Sequence, residues 1–162
     1  MKDYLKKLIL KKNLDARELK LAVRLLLDEA TPEAQKGAFL SLLAAKGETV
    51  PEITEIARIF EHQMSRVSGL KNALDIVGTG GDGYDTINVS TLASFVCAYL
   101  GIPVAKHGTA ALSSKCGSFD VLQALGVEIP QTPKEARSYF DKHGIVFIFA
   151  PYFHPAFKKI HP

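Results

Sequence analysis

Residues 78–91 read GTGGDGYDTINVST, and the runs on either side, Leu74 to Val77 before and Leu92 to Leu100 after, are apolar. A buried strand, a glycine-rich bend and a helix in that order form the repeating unit of a parallel α/β sheet. The four glycines at 78, 80, 81 and 83 let the main chain turn tightly and approach a ligand without a Cβ in the way. Asn88, Ser90 and Thr91 stand where the helix begins, with its unpaired N–H groups and positive dipole end. An anion is the expected guest.

Gly78, Gly80 and Gly83 also spell G-x-G-x-x-G, the dinucleotide fingerprint. That motif requires a helix opening on the glycines and an acidic residue about 20 positions further on. Here Tyr84 to Asn88 intervene before the helix, and no Asp or Glu lies between Asp85 and Asp120. A nicotinamide dinucleotide is therefore a poor fit. A Walker loop is excluded because no Gly-Lys-Ser/Thr follows. A plain turn accounts for Gly, Asp and Asn equally well, so the stretch does not decide the matter alone.

A second cluster does. After an expected strand at Ile102 to Ala105 come Lys106-His107-Gly108-Thr109 and then Ser113-Ser114-Lys115-Cys116-Gly117-Ser118, ahead of a helix at Phe119 to Leu125. In a parallel sheet both segments leave the C-terminal ends of strands, where α/β proteins bind ligands. Lys106 offers a point charge for phosphate, and Ser113, Ser114 and Ser118 offer hydroxyl donors. Asn88 and Ser90 have a purely structural alternative as helix caps. Ser113, His107 and Asp120 do not make a hydrolase triad, since no serine sits in a G-x-S-x-G elbow.

Around these motifs the chain changes character. With 162 residues, 47% of them hydrophobic and 23% charged, it has the make-up of a soluble globular protein of one ordinary domain or two small ones. Residues 1–68 read as a helical domain: Asp15 with Glu18 and Thr49 with Glu52 are capping-box pairs, and Thr31-Pro32 opens a helix that Gly47 can close. Ile53, Ile56, Ala57, Phe60, Met64 and Val67 trace one helical stripe. Residues 69–162 alternate expected strands at 73–77, 102–105 and 145–150 with helices near 90–100, 117–125 and 133–142, the last opened by Thr132 and Glu135. A parallel sheet of three strands is incomplete, and Ile145 to Ala150 is too apolar for an open edge. The net charge of +3 gives no case for nucleic acid. No run approaches the ~20 apolar residues of a membrane span, lysines interrupt any leader-like core, and Cys97 and Cys116 have neither metal nor redox spacing. Cys97 reads as a small core residue, and the cytoplasm is the default location.

The segments GTGGD at 78–82, TINVST at 86–91, VAKHG at 104–108, SSKCGSFDVLQALGV at 113–127 and FIFAPYFHPAFK at 147–158 closely resemble the anthranilate phosphoribosyltransferase family. Pyrimidine nucleoside phosphorylases, which share the fold, match less well. The resemblance implies an all-α domain followed by an incomplete parallel-sheet α/β domain of the nucleoside phosphorylase/phosphoribosyltransferase type. It implies transfer of phosphoribose from 5-phosphoribosyl-1-pyrophosphate (PRPP) to anthranilate in tryptophan biosynthesis, with Mg2+ as companion of the diphosphate. Carried over by motif, Gly78, Thr79, Gly80, Gly81, Asp82 and Thr86 would embrace pyrophosphate and ribose. Asn88, Ser90, Thr91, Lys106 and Ser118 would take the phosphate oxygens, with Ser90 also a metal ligand. His107, Gly108, Thr109 and His154 would face the acceptor, His107 donating a hydrogen bond or touching the ring. No side chain is expected to act as a catalytic acid or base. The family usually carries Asn-Arg where this chain has Thr109-Ala110, which puts acceptor choice in question. By the same resemblance the chain is truncated: an Asp-Glu metal pair and a carboxylate-binding arginine fall beyond residue 162. The polypeptide alone is then expected to be inactive, and a homodimer through the helical domain is expected. Nucleoside phosphorolysis and a non-catalytic binding relative on the same scaffold are the alternative readings.

Overall fold

The computed structural model describes residues 1–78, 87–110 and 117–160. Packing divides the chain into two compact units, Met1–Met64 with the tail from His154, and Ser65–Phe153. The sequence reading places one cut after residue 68. The tail instead joins the helical unit because Ala156 and Ile160 pack with Val23, Leu27, Ile56, Ile59 and Phe60.

The helical unit contains α1 (Lys2–Ile9), α2 (Ala16–Leu26), α3 (Glu33–Lys46) and α4 (Val50–Gln63). Both expected capping boxes form: Asp15 accepts from the Glu18 N–H and Thr49 from the Glu52 N–H, with each glutamate bonding back. Leu8, Leu14, Leu19, Ala22, Leu26, Phe39 and Leu43 make the core. The stripe expected on α4 is only half realised, since Ile53 is 55% exposed and Ile56, Ile59 and Phe60 do the packing. Met64 and Val67 lie past the end of the helix. Glu52, fully buried, takes Ile53's place as the inward residue. Its Oε1 accepts the Leu14 N–H at 2.9 Å, and its Oε2 accepts the Thr49 N–H at 2.9 Å and the Lys46 ammonium at 2.7 Å. Lys46 also reaches Asn13 and the Gly47 carbonyl. One ion pair thus ties together the α1–α2 turn, the end of α3 and the start of α4.

The second unit contains α5 (Val89–Tyr99), β1 (Val104–Gly108), α6 (Ser118–Ala124), α7 (Pro133–His143), β2 (Ile145–Phe149) and the short α8 (Ala150–Phe153). β1 and β2 pair in parallel from Val104↔Ile145 to Gly108↔Phe149. Strand alternation sends Val146 and Ile148 to one face, among Ala105, Ala136 and Phe153, and Phe147 to the other, among Phe119, Leu122 and Phe95. Covering both faces is what a run as apolar as Ile145 to Phe149 requires.

Two expectations for this unit need correction. β1 begins and ends later than 102–105, so Lys106, His107 and Gly108 belong to the strand and not to the loop after it. The strand expected at 73–77 is reduced to one parallel bridge, Leu74↔Val104. The Leu74 N–H bonds the Pro103 carbonyl and the Leu74 carbonyl takes the Ala105 N–H. The next donor of that ladder would be the His107 N–H, and the Asp75 side chain captures it at 3.1 Å. A side chain has replaced a main-chain acceptor, and the ladder stops.

α5 is also not the apolar core helix that its composition implies. It buries Thr91 and Ser94, while Val89, Leu92, Val96 and Tyr99 stay 51–91% exposed. Cys97 is half-buried rather than in the core.

Candidate functional site

The site is built where β1 ends, and its local chemistry follows from strand alternation. Lys106 shares a face with its partner Phe147, and His107 shares the opposite face with Ile148. Lys106 is therefore carried into the aromatic layer and is only 2% exposed. Its ammonium donates to the His107 carbonyl at 3.1 Å, and no other hydrogen-bond partner is present among the described residues. Burial pushes the Lys106 pKa down, and the nearby charge of Asp75 offsets part of that. A primary ammonium carries three donors, so this cation is underused.

α5 follows the glycine-rich loop and packs on β1. Asn88 is its N-cap position, yet the Asn88 side chain makes no capping bond. The Ser90 carbonyl takes the Ser94 hydroxyl at 2.8 Å. Thr91 is 2% exposed and its Oγ1 has no hydrogen-bond partner among the described residues. Leaving a buried hydroxyl unpaired costs about 1–3 kcal/mol. The two most buried of the expected phosphate-binding side chains thus both hold unspent hydrogen-bonding capacity.

Gly108 and Ser118 meet directly. A Cβ built on Gly108 would stand 2.6 Å from Ser118 Oγ and 2.9 Å from Phe119 Cε2, so only glycine lets β1 approach α6 this closely. The Thr109 carbonyl accepts the Ser118 hydroxyl at 3.3 Å and the Phe119 N–H at 3.4 Å. Gly108, Thr109 and Ser118 are therefore brought together, with Lys106 two positions ahead of Gly108 on the same strand. Gly78 is placed with open space where its side chain would be. Thr79, Gly80, Gly81, Asp82 and Thr86 lie outside the described residues, as do Ser113, Ser114 and Cys116. His154 falls in the helical unit's tail, where its ring stands edge-on to Phe157.

Sequence reasoning missed Asp75. Its Oδ1 accepts the His107 main-chain N–H and its Oδ2 lies 3.1 Å from His107 Nδ1. Partial burial works against its charge, but the bonds from His107 and the charge of Lys106 hold the carboxyl below its ordinary range. The available signal was an acid inside the apolar run LDIV, three positions ahead of the first glycine. An acid in an expected strand calls for a partner, and Asp75, with its side chain 40% exposed, has one in His107.

A hollow of about 80 Å³ lies beside the site, lined by Ala110, Phe119, Asp120, Ile129, Phe149 and Tyr152.

Among the described residues no group of three or more His, Cys, Asp or Glu side chains could hold a metal ion. Ser90 offers one hydroxyl oxygen at the start of α5. Mg2+ usually keeps several waters and binds through substrate phosphates with one or two protein oxygens, so Ser90 fits it as the companion of a diphosphate.

Two family models match, "Glycosyl transferase family, helical bundle domain" over residues 2–64 and "Glycosyl transferase family, a/b domain" over residues 70–162. The anthranilate phosphoribosyltransferase of Rhodopseudomonas palustris is 53% identical over 134 residues, 83% of this chain and 39% of its own length. The crystal structure of the Thermus thermophilus anthranilate phosphoribosyltransferase superposes with a TM-score of 0.84 at 39% identity, covering 99% of this chain and 49% of that one. The Saccharomyces cerevisiae enzyme in complex with PRPP and Mg superposes with a TM-score of 0.85 at 28% identity, covering 98% and 48%. The chain thus spans between two fifths and half of these relatives. It belongs to the glycosyl transferase family defined by these helical-bundle and α/β domains, and within that family it is similar to the N-terminal half of the anthranilate phosphoribosyltransferases.

Proposed function

We propose that the chain supplies the PRPP-binding portion of a transferase that moves phosphoribose to the amino group of anthranilate in tryptophan biosynthesis. The observation that carries this reading is the pair of buried, underused donors, the Lys106 ammonium and the Thr91 hydroxyl. A desolvated cation whose hydrogen bonding among the described residues is a single carbonyl is costly, and a diphosphate would satisfy both groups. Thr79, Gly80, Gly81, Asp82 and Thr86 are assigned to pyrophosphate and ribose. Asn88, Ser90 and Ser118 are assigned to phosphate oxygens, and Gly108, Thr109, His107 and His154 to the acceptor. Mg2+, when bound, neutralises charge on the departing diphosphate. The chain's own residues bind and align the reactants, which is where most of the acceleration in such a displacement arises.

The segment boundaries at 68/69 remain the proposed division of function between a helical module and a phosphoribosyl module. A cytoplasmic homodimer through the helical module completes the proposal. Its support is the apolar surface left on that unit by Ile9, Leu10, Val50 and Ile53, all more than half exposed. The 162 residues by themselves are proposed to bind PRPP weakly and without turnover.

Thermal unfolding with added ligands tests the reading. PRPP with Mg2+ at a hundredfold excess over its dissociation constant should stabilise the fold by about 2.7 kcal/mol, and Lys106→Ala should abolish that protection. Protection by nucleoside plus inorganic phosphate, with none from PRPP, would move the assignment to phosphorolysis.

A further inference from the structure

The edge of β1 that faces residues 73–77 is closed at His107 by side chains, where a third strand would otherwise close it. In a parallel ladder every second residue turns both its N–H and its C=O toward the same neighbour. Pro103 and Ala105 turn theirs to Leu74, so His107, two positions further along the strand, turns its own to the same side. Continuing the ladder from Leu74↔Val104 would give the His107 N–H to the Ile76 carbonyl and the His107 C=O to the Gly78 N–H. Asp75 Oδ1 accepts that N–H instead, at 3.1 Å, and the Lys106 ammonium donates to that C=O, also at 3.1 Å. One residue is thus gripped on the vacated edge by a carboxylate and by the cation assigned to phosphate. The Asp75 carboxyl is held below its ordinary range, so it is a charged acceptor and makes the stronger kind of bond.

We propose that Asp75 is a positioning residue for the anion site: it holds the end of β1 in place of a third strand, and through the His107 main chain it fixes where Lys106 reaches. The proposal deepens the transferase reading and rests on it only for the identity of the anion. A main-chain N–H left without an acceptor is unfavourable, and Asp75 supplies the acceptor without a further rung of strand. The ladder then has no bonding group left at His107 for residues 76–78, and the chain is released where the glycines begin. By its charge alone, a carboxylate this close to Lys106 works against binding of an anion there. Its place beside the cation therefore calls for a role that outweighs the repulsion, and the bond to the His107 N–H provides one.

Amide spectra of the 15N-labelled 162-residue chain test this, because they report hydrogen exchange at His107 and titration with PRPP and Mg2+ on one sample. The His107 amide should be protected in the unsubstituted chain and in Asp75→Asn, whose side-chain oxygen still accepts, and should exchange freely in Asp75→Ala. In folded Asp75→Ala the dissociation constant for PRPP with Mg2+ should rise about tenfold, the scale of one hydrogen bond to a charged group. Asp75→Asn should recover most of that affinity. If Asp75→Ala tightens binding or leaves it unchanged, the carboxylate acts by charge or on the fold alone, and the proposal is overturned. Should Asp75→Ala not fold, a freely exchanging His107 amide in the unsubstituted chain overturns it, as does lost binding in a folded Asp75→Asn. Protection at His107 with affinity kept in Asp75→Asn sustains it. Titration with Mg2+ and inorganic pyrophosphate separates the two readings. A chain that binds pyrophosphate with this Asp75 dependence, and not PRPP, refutes the transferase and leaves the positioning role standing. Binding of neither overturns both.

Discussion

At the scale of single residues the site opposes stability to binding. Lys106 is charged, buried and satisfied by a single carbonyl. Its folded-state pKa is depressed below 10.5, so the folded protein releases that proton more readily than the unfolded chain does. Stability therefore rises as pH climbs toward 10.5, and at neutral pH the charged form is a burden. Lys106→Met should keep or raise the thermal midpoint while removing protection by PRPP with Mg2+, and paired melts with and without ligand read both effects. A lysine serving only the fold would lower the midpoint when replaced. Gly108 makes the opposite case. Any Cβ there meets Ser118 and the buried Phe119 ring inside 3 Å, so Gly108→Ala should cost about 1–3 kcal/mol as an overpacked contact. Urea unfolding measures it, and a loss below 0.5 kcal/mol would show that α6 yields freely.

The elements show which parts of the fold were legible from sequence. Capping boxes at Asp15, Thr49 and Thr132 mark the starts of α2, α4 and α7 because the signal is local and the chemistry is confined to four residues. The site's motifs were legible for the same reason: glycine and hydroxyl clusters are contiguous. What sequence could not supply was pairing between distant segments. β1 starts two residues later than its apolar run because β2 sets its register, and the strand at 73–77 yields to Asp75, a contact 32 positions away. Glu52 belongs to the same class, with a capping role that was readable and a buried bridge to Lys46 and Leu14 that was not. Burial pushes its carboxyl up, but bonds from Lys46, Leu14 and Thr49 outweigh this and bring it to about 2 from 4.5. A folded pKa below the unfolded one contributes stability that is complete above about pH 4.5 and is lost as pH falls toward 2. The contribution is at most about 3 kcal/mol. Denaturant unfolding at pH 5 and pH 3 should show the loss, and Glu52→Gln should flatten it. The substitution should itself cost about 3–5 kcal/mol by stranding the Lys46 charge.

At the largest scale, the described residues of the α/β unit include a run of exposed apolar side chains on and beside α5. Ile87, Val89, Leu92, Val96, Tyr99 and Leu100 are each more than half exposed, and four of them recur along one side of α5 at helical spacing. Single exposed apolar residues need no explanation, whereas a continuous stripe departs from the usual monomer surface. The same helix turns Thr91 and Ser94 inward, so its polarity is set by the site and its outer face is left to solvent. A surface of this kind binds hydrophobic dyes without any loss of native packing. The 162-residue chain should therefore enhance anilinonaphthalene sulfonate fluorescence under conditions where near-ultraviolet circular dichroism reports fixed tertiary structure. Leu92→Ser with Val96→Ser should remove most of that signal with a change in stability below about 0.5 kcal/mol, the range expected for surface positions. If the double variant unfolds the α/β unit, these side chains are core and the exposed stripe is refuted. If dye binding persists unchanged in a folded variant, the apolar surface lies elsewhere, and Ile9, Leu10 and Val50 of the helical unit are the next positions to substitute.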